Sequence, residues 1–73
     1  MPQHSYRLEL HNYLQTIYRN SNALEIIVEH LGEGEWRADV LIYGEIVAQA
    51  TALSPTAAKE VAAARALVHH RGW

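Results

Sequence analysis

The sequence predicts a small two-layer α+β domain in which the elements follow the order α-β-β-β-α. Apolar residues recur at helical spacing near both ends of the chain, alternate with polar residues in the middle, and are separated by short turn segments. The 73 residues, 49% hydrophobic and 19% charged, suffice for one domain, residues 1–73, and are too apolar for a disordered tail. Because each helix and the sheet has a single apolar face, both helices are expected on one face of a three-stranded antiparallel sheet.

A first helix is predicted from Tyr6 to Tyr18. Ser5 is a suitable N-cap, and the polar run at 19–22 is typical of a turn that ends a helix. The predicted core stripe of this helix consists of Tyr6, Leu10, Tyr13, Leu14 and Ile17. Its other face is polar and carries His11, Asn12, Gln15 and Arg19.

Three strands are predicted between the helices, at 23–30, 36–43 and 46–52, because apolar and polar residues alternate there. Residues 31–35 are expected to form the loop between the first two strands. One face of the sheet is expected to be exposed and to pair Arg37 with a glutamate on the neighbouring strand. The residues predicted on this exposed face are Glu25, Ile27, Glu29, Arg37, Asp39, Leu41 and Tyr43.

An alanine-rich last helix is predicted over Thr56–His70. Ser54 is its expected N-cap, and Pro55 takes the first helical position, where the N–H that proline lacks has no partner in any case. Gly72 is the expected C-terminal stop. No internal repeat, linker or low-complexity segment interrupts this order of elements.

Three segments of this chain resemble the double-stranded-RNA-binding domain family, over a span from about Leu8 to about Leu67. Leu10–Gln15 is similar to the family's first-helix pattern, and Val40–Gly44 is similar to its second strand and turn. Ser54–Leu67 matches the family's last helix in frame and is the most specific of the three matches. The resemblance implies the α-β-β-β-α fold and binding of A-form RNA by its shape, across two minor grooves and the phosphates between them.

The RNA-contacting positions of the family can be assigned only where residues match. In the first helix His11, Asn12 and Gln15 correspond to minor-groove contacts, and at the start of the last helix Lys59 and Thr56 correspond to phosphate contacts. The loop at 31–35 carries two glutamates instead of the family's Gly-Pro-x-His, and one lysine of three remains. Because the phosphate-contacting lysines fall from three to one, RNA binding is expected to be weaker than in the family by about two to three decades, and the formal net charge of −2 is also unfavourable.

A second apolar stripe on the last helix favours an alternative function as a protein-interaction module that keeps the fold without binding RNA. This stripe, at i, i+4, i+7 and i+11, lies beside a family-like core stripe of Ala58, Ala62, Ala63, Ala66 and Leu67. The third strand is an edge strand without Lys or Pro to block pairing, and some members of the family associate through this edge and the last helix. The expected interface, with a second copy or another protein, consists of Ile46, Ala48, Ala50, Ala57, Val61, Ala64 and Val68.

Several classes of function are not expected from this sequence. The chain has no cysteine and its five histidines lack the spacing of metal ligands, so neither a metal nor another cofactor is expected. No catalytic motif is visible, which argues against an enzyme and against a small-molecule substrate. No run of about 20 apolar residues and no apolar leader is present, so we expect an intracellular protein of the cytoplasm or nucleus that does not enter a membrane.

Overall fold

A computed structural model of the chain describes residues 5–19 and 23–71, with side chains through His69. It confirms the predicted two-layer α+β fold, in which an open three-stranded antiparallel sheet has the strand order β1-β2-β3. The elements are α1 (Tyr6–Tyr18), β1 (Leu24–Gly32), β2 (Glu35–Ile42), β3 (Glu45–Ala52) and α2 (Pro55–Arg71).

Side-chain caps fix where both helices begin, as the sequence predicts. The Ser5 Oγ accepts a hydrogen bond from the Leu8 N–H at 3.3 Å, and the Ser54 Oγ accepts one from the Ala57 N–H at 3.1 Å. At the end of α1 Arg19 adopts a left-handed conformation, and its N–H donates to the Gln15 carbonyl. The remaining turn residues at 20–22 and the predicted stop at Gly72 lie outside the described residues.

The connection between β1 and β2 is shorter than predicted. A five-residue loop was expected at 31–35, but β1 runs to Gly32, β2 begins at Glu35, and the turn contains only Glu33 and Gly34. Both glycines have positive φ values, of 142° for Gly32 and 66° for Gly34, which side-chain-bearing residues rarely adopt. The glycines interrupt the alternation of apolar and polar residues in the sequence. The two strands still pair at this point through a register shift between His30 and Gly32, so the alternation alone underestimates the length of β1.

The core is small and consists mostly of alanine. Among the described residues the largest fully buried side chains are Leu10, Leu14 and Val40. Tyr6 and Ile17, which the sequence places in the core stripe of α1, are 42% and 47% exposed. The reason is that α1 approaches α2 most closely, whereas α2 covers all three strands, so the buried stripe of α1 is narrow. The buried alanines, all at most 4% exposed, are Ala23, Ala38, Ala50, Ala58, Ala62, Ala63 and Ala66.

The strand register defines which residues share the face of the sheet that the helices leave uncovered, here called the open face. A bulge in β3 places Ala48 opposite Val40 but Ile46 opposite Leu41, so the intervening Val47 has no cross-strand partner and the alternation of faces shifts by one residue. Tyr43, predicted for the open face, instead lies in the turn after β2, where its ring makes an edge contact with Tyr18 of α1. The open face contains Glu25, Ile27, Glu29, Arg37, Asp39, Leu41, Ile46, Gln49 and Thr51.

Candidate functional site

The first turn of α2 has one free main-chain donor. Pro55 has no N–H, the Ala57 N–H donates to the Ser54 Oγ, and the Ala58 N–H donates to the Ser54 carbonyl. Among the described residues this leaves the Thr56 N–H without a partner in that turn. The N-terminus of α2 is therefore a weaker anion site than a helix that presents several free N–H groups.

Lys59 lies in the second turn of the same helix, close to this free N–H. Its side chain is half-buried and makes no ion pair within the described part of the chain. Thr56, one turn earlier, is exposed. The two residues predicted to contact phosphate are thus on neighbouring turns of α2. Lys59 offers a positive charge and Thr56 offers a main-chain N–H donor.

Glu60, next to Lys59, connects α2 to the start of α1. Its carboxylate accepts hydrogen bonds from the Ser5 Oγ at 3.1 Å, the Tyr6 N–H at 2.7 Å and the Arg7 Nε at 2.6 Å. Partial burial opposes ionisation of this carboxyl, but the bonds from Arg7, Tyr6 and Ser5 outweigh it and hold the pKa of Glu60 below its ordinary value. The carboxylate is therefore ionised and occupied by three donors, and it fixes the N-terminus of α1 beside the first turns of α2.

The exposed face of α1 carries polar side chains and no exposed carboxylate, but it also contains Leu8, which lies one turn before Asn12 and is 60% exposed. Asn12 and Gln15 are exposed, as predicted, and His11 is half-buried at the side of this face. The Thr16 hydroxyl donates to the main-chain carbonyl of Asn12 at 3.0 Å, so this bond does not occupy the exposed Asn12 side chain. From His11 to Arg19 the chain contains neutral side chains and one arginine, so nothing on this stretch repels an anion.

Opposite charges are segregated between the two layers of the fold. The helix layer, which we define as α1 with its C-cap Arg19 together with α2, contains five Lys and Arg residues against two Asp and Glu residues, a formal charge of +3. The sheet layer, defined as the three strands with their turns, contains one arginine against six acidic residues, a formal charge of −5. The net charge of −2 is the sum of a basic layer and an acidic layer, so it understates how well the helices suit an anionic ligand.

The β1–β2 connection offers no third contact region. Its two-residue turn is too short to form a protruding loop, and Glu33 and Glu35 add negative charge there. Of the three RNA-contacting regions that the resemblance implies, the described geometry therefore contains two, α1 and the start of α2. It contains no loop that could reach a second minor groove.

The predicted protein interface does not form one continuous surface. On α2, Ala57 is exposed, Val61 and Val68 are 41% and 50% exposed, and Ala64 between them is half-buried. On β3, however, Ile46 lies on the open face at 52% exposure, whereas Ala48 and Ala50 lie on the helix-covered face, where Ala50 is 4% exposed.

The bulge at Val47 explains this division, because it moves Ile46 to the face opposite Ala48 and Ala50. The side chain of Ala50 belongs to the core and is not available on the surface. The main chain of β3 is also partly occupied, since the guanidinium of Arg65 donates to the Gln49 carbonyl at 2.8 Å. The outer face of α2, defined as Ala57, Val61, Ala64 and Val68, is the exposed apolar part of the predicted interface.

The described residues contain neither a cluster of metal ligands nor a membrane-spanning helix. No group of three or more His, Cys, Asp or Glu side chains is arranged to hold a metal ion. No helix in the described ranges is long and apolar enough to cross a membrane. Comparison of the chain with models of protein families, with curated proteins and with solved structures finds no match.

Proposed function

We propose that the chain is a binding module for structured or double-stranded RNA that uses the exposed face of α1 and the first two turns of α2. The observation that carries this proposal is the charge segregation, because the two regions that resemble RNA-contacting segments both lie in the helix layer of charge +3. Asn12 and Gln15 supply hydrogen-bond donors and acceptors for ribose 2′-hydroxyls and base edges. Lys59 and the Thr56 N–H supply a phosphate contact.

The affinity of this module is expected to be low. Phosphate contacts from one or both of the cations Lys59 and Arg19 correspond to a slope of log K against log salt of about −1 to −2, because the uncharged Thr56 displaces no counterion. The start of α2 has a single lysine and there is no second groove contact. We therefore expect dissociation constants for an RNA duplex that are micromolar or larger.

A matched pair of variants tests the RNA proposal. Lys59→Gln removes one positive charge from the helix layer, and Arg37→Gln removes the same charge from the sheet layer. A duplex RNA of about 20 base pairs and its DNA counterpart are titrated with each protein at two salt concentrations. Lys59→Gln is expected to weaken RNA binding about five- to tenfold at low salt and to reduce the salt slope by about one, whereas Arg37→Gln changes RNA binding less than twofold.

Asn12→Ala with Gln15→Ala separates groove contacts from charge. This double variant is expected to reduce the preference for RNA over DNA without changing the salt slope, because neither side chain is charged. Absence of RNA binding by the unaltered protein at low salt contradicts the proposal, as does an equal effect of Lys59→Gln and Arg37→Gln.

A second candidate function is self-association, and the exposure of Val61 and Val68 favours it. Both are β-branched residues that gain little from helix propensity at a solvent-exposed position, yet 41% and 50% of their surface is exposed. Light scattering at increasing protein concentration tests this candidate. A mass that rises with concentration, and that remains at the monomer value for Val61→Glu, supports self-association, while a constant monomer mass contradicts it.

A further inference from the structure

One end of the open face carries an apolar cluster formed by Ile27, Leu41 and Ile46. Leu41 and Ile46 are cross-strand partners, and Ile27 lies diagonally on β1 because its own partner is Asp39, two residues before Leu41. Ile27 and Ile46 are 44% and 52% exposed. The Cα atoms of these isoleucines are two strand spacings apart across the sheet and two residues apart along the strands. The diagonal distance between them is therefore about 12 Å.

The outer face of α2 presents two apolar side chains at nearly the same spacing. Val61 and Val68 are two helical turns apart, which places their Cα atoms about 10 Å from each other. Ala57 and Ala64 on the same face are short, so the valines protrude. A helix laid diagonally across the strands can therefore bring one valine to each isoleucine of the open face.

The charges beside these two apolar surfaces are opposite. Glu25 is the cross-strand partner of Leu41, is exposed and has no ion pair within the described part of the chain. Arg65 on α2 is exposed and lies about one turn from both Val61 and Val68. It donates one N–H to the Gln49 carbonyl, and a guanidinium carries five N–H donors in all.

The single arginine of the sheet layer does not cancel this complementarity. The NH2 group of Arg37 lies 2.7 Å from a Glu29 oxygen, and its Nε lies 3.5 Å from an Asp39 oxygen, so its charge is already neutralised by two carboxylates. Asp39 also accepts a hydrogen bond from the Gln49 side chain at 3.0 Å. The open face therefore keeps an excess of negative charge, and Glu25, beside the apolar cluster, is its carboxylate without an arginine partner in the described part of the chain.

The centre of the open face favours a helix over a strand as its occupant. The main chain of β2 is paired with β1 on one side and β3 on the other, so it has no backbone groups to offer a docked segment. A segment that covers this face must satisfy its own backbone hydrogen bonds, as a helix does. The helix α2 covers the opposite face of the sheet in the same manner.

We propose that the outer face of α2 of one copy docks on the open face of a second copy. The proposal rests on the second candidate function, self-association, and identifies the surface that receives Val61 and Val68. The two copies contribute different surfaces, so the contact is head-to-tail and leaves one open face and one α2 free at the two ends. The apolar contact involves only five side chains, from Ile27, Leu41 and Ile46 on one copy and Val61 and Val68 on the other, so it is smaller than the roughly 800 Å² per partner of a standard interface and assembly requires high protein concentration. Salt weakens assembly because it screens the attraction between Glu25 and Arg65.

A mixing experiment with two single variants tests this head-to-tail arrangement. Val61→Glu alters the outer face of α2 and leaves the open face intact, whereas Ile46→Glu does the reverse. Both positions are exposed, so both variants are expected to fold, and circular dichroism checks this. Thr16→Glu places the same charge on an exposed position of α1 and is the matched control.

The expected result is complementation. Each variant alone has the mass of a monomer at a concentration where the unaltered protein and Thr16→Glu assemble. An equimolar mixture of the two variants forms dimers, doubling the mass, and nothing larger, because only the open face of one variant and the α2 of the other remain intact.

Three results overturn the inference, and they differ in what else they exclude. If Ile46→Glu alone still dimerises like the unaltered protein, the α2 faces pair with each other, and self-association stands without the open face. If both variants are monomeric but their mixture also remains monomeric, the head-to-tail arrangement is wrong. If the unaltered protein is monomeric at every concentration, self-association itself is excluded, while the RNA titration is judged independently.

Discussion

The helix layer and the open face of the sheet rest on the same small core but present opposite chemistry to solvent. The helix layer has a formal charge of +3 and an acid-free stretch from His11 to Arg19. The open face combines three carboxylates, one neutralised arginine and an exposed apolar cluster. The comparison shows that the net charge conceals the charge of each layer, because the two layers present separate surfaces and salt screens charges that lie farther apart than about 8 Å.

The two surfaces also differ in how their side chains are held. Glu60 joins the helices by three hydrogen bonds that span 53 to 55 residues of sequence, in addition to the core contacts between α1 and α2. On the open face the polar contacts run between neighbouring strands, from Glu29 to Arg37 and from Asp39 to Gln49. Loss of a single residue is therefore expected to affect the helix layer more than the open face.

The largest expected effect comes from Leu14→Ala, which is expected to destabilise the helix layer and the sheet together because both layers depend on one core. Leu14 is 1% exposed and is one of three large side chains that are fully buried. The free energy of unfolding is expected to fall by about 2–5 kcal/mol. A domain of this size has only about 4–11 kcal/mol in total, so RNA binding and assembly are expected to weaken together. Urea denaturation measures the change.

Ile17→Ala is the control for this prediction, since it shortens an apolar residue of the same helix that is 47% exposed. We expect it to cost less than about 1 kcal/mol, because much of the side chain is already in water. Equal losses for the two variants contradict the described core.

Glu60→Gln is expected to have the next largest effect and to loosen the helix layer alone. The neutral amide replaces an acceptor that binds the Tyr6 N–H and Arg7, so the free energy of unfolding at neutral pH is expected to fall by about 1–2 kcal/mol. The contribution of Arg7 to this loss is small because its side chain is 40% exposed and screened by water. Thermal denaturation measures a decrease in Tm of about 5–15 °C. Glu45→Gln, at an exposed position of β3, is the control and is expected to leave Tm nearly unchanged.

The pH dependence of stability provides a second measurement on the same residue. The pKa of Glu60 is lower in the folded protein than in the unfolded chain, so its stabilisation is complete above the unfolded value of about 4.3. It is lost as the pH falls from there through the lower folded value. The stability difference between the unaltered protein and Glu60→Gln should therefore shrink on acidification in this range, and a difference that stays constant is inconsistent with the proposed hydrogen bonds.

Sequence periodicity was sufficient to predict the fold. The helical spacing of Leu10 and Leu14, the alternation in β1 and β2, and the caps Ser5 and Ser54 are local signals, and the structure confirms each of them. The predicted pairing of Arg37 with a glutamate is also confirmed, with Glu29 as the partner. These features depend on residues close in sequence or on neighbouring strands of a hairpin.

Other features could not be predicted because they depend on contacts between distant segments or on one-residue shifts. Glu60 has no local signal, since its partners are at the opposite end of the chain. The bulge at Val47 moves Ile46 to the open face, and alternation alone cannot locate the extra residue. Whether His11, Asn12, Gln15, Thr56 and Lys59 contact RNA stays a prediction, because their exposure permits contact without requiring it.

Glu25→Lys is expected to have a small effect on RNA binding and to sharpen the distinction between the two surfaces. The variant makes the sheet layer less acidic by two charges. The changed position lies on the open face, roughly 10 Å from the helix layer. Since that distance is near the Debye length, RNA affinity is expected to rise about two- to fourfold at low salt and to change little near physiological salt. Assembly at high concentration is expected to weaken, because a lysine then faces Arg65 beside Leu41.

Glu33→Lys is the matched control, since it makes the same charge change in the β1–β2 turn, away from Leu41. We expect it to alter RNA affinity by a similar small factor and to leave assembly unchanged. An increase in RNA affinity of tenfold or more at physiological salt with Glu25→Lys alone implies that RNA contacts the open face. The assignment of RNA to the helix layer is then wrong, because a long-range charge effect that is screened by salt cannot distinguish Glu25 from Glu33 to this extent.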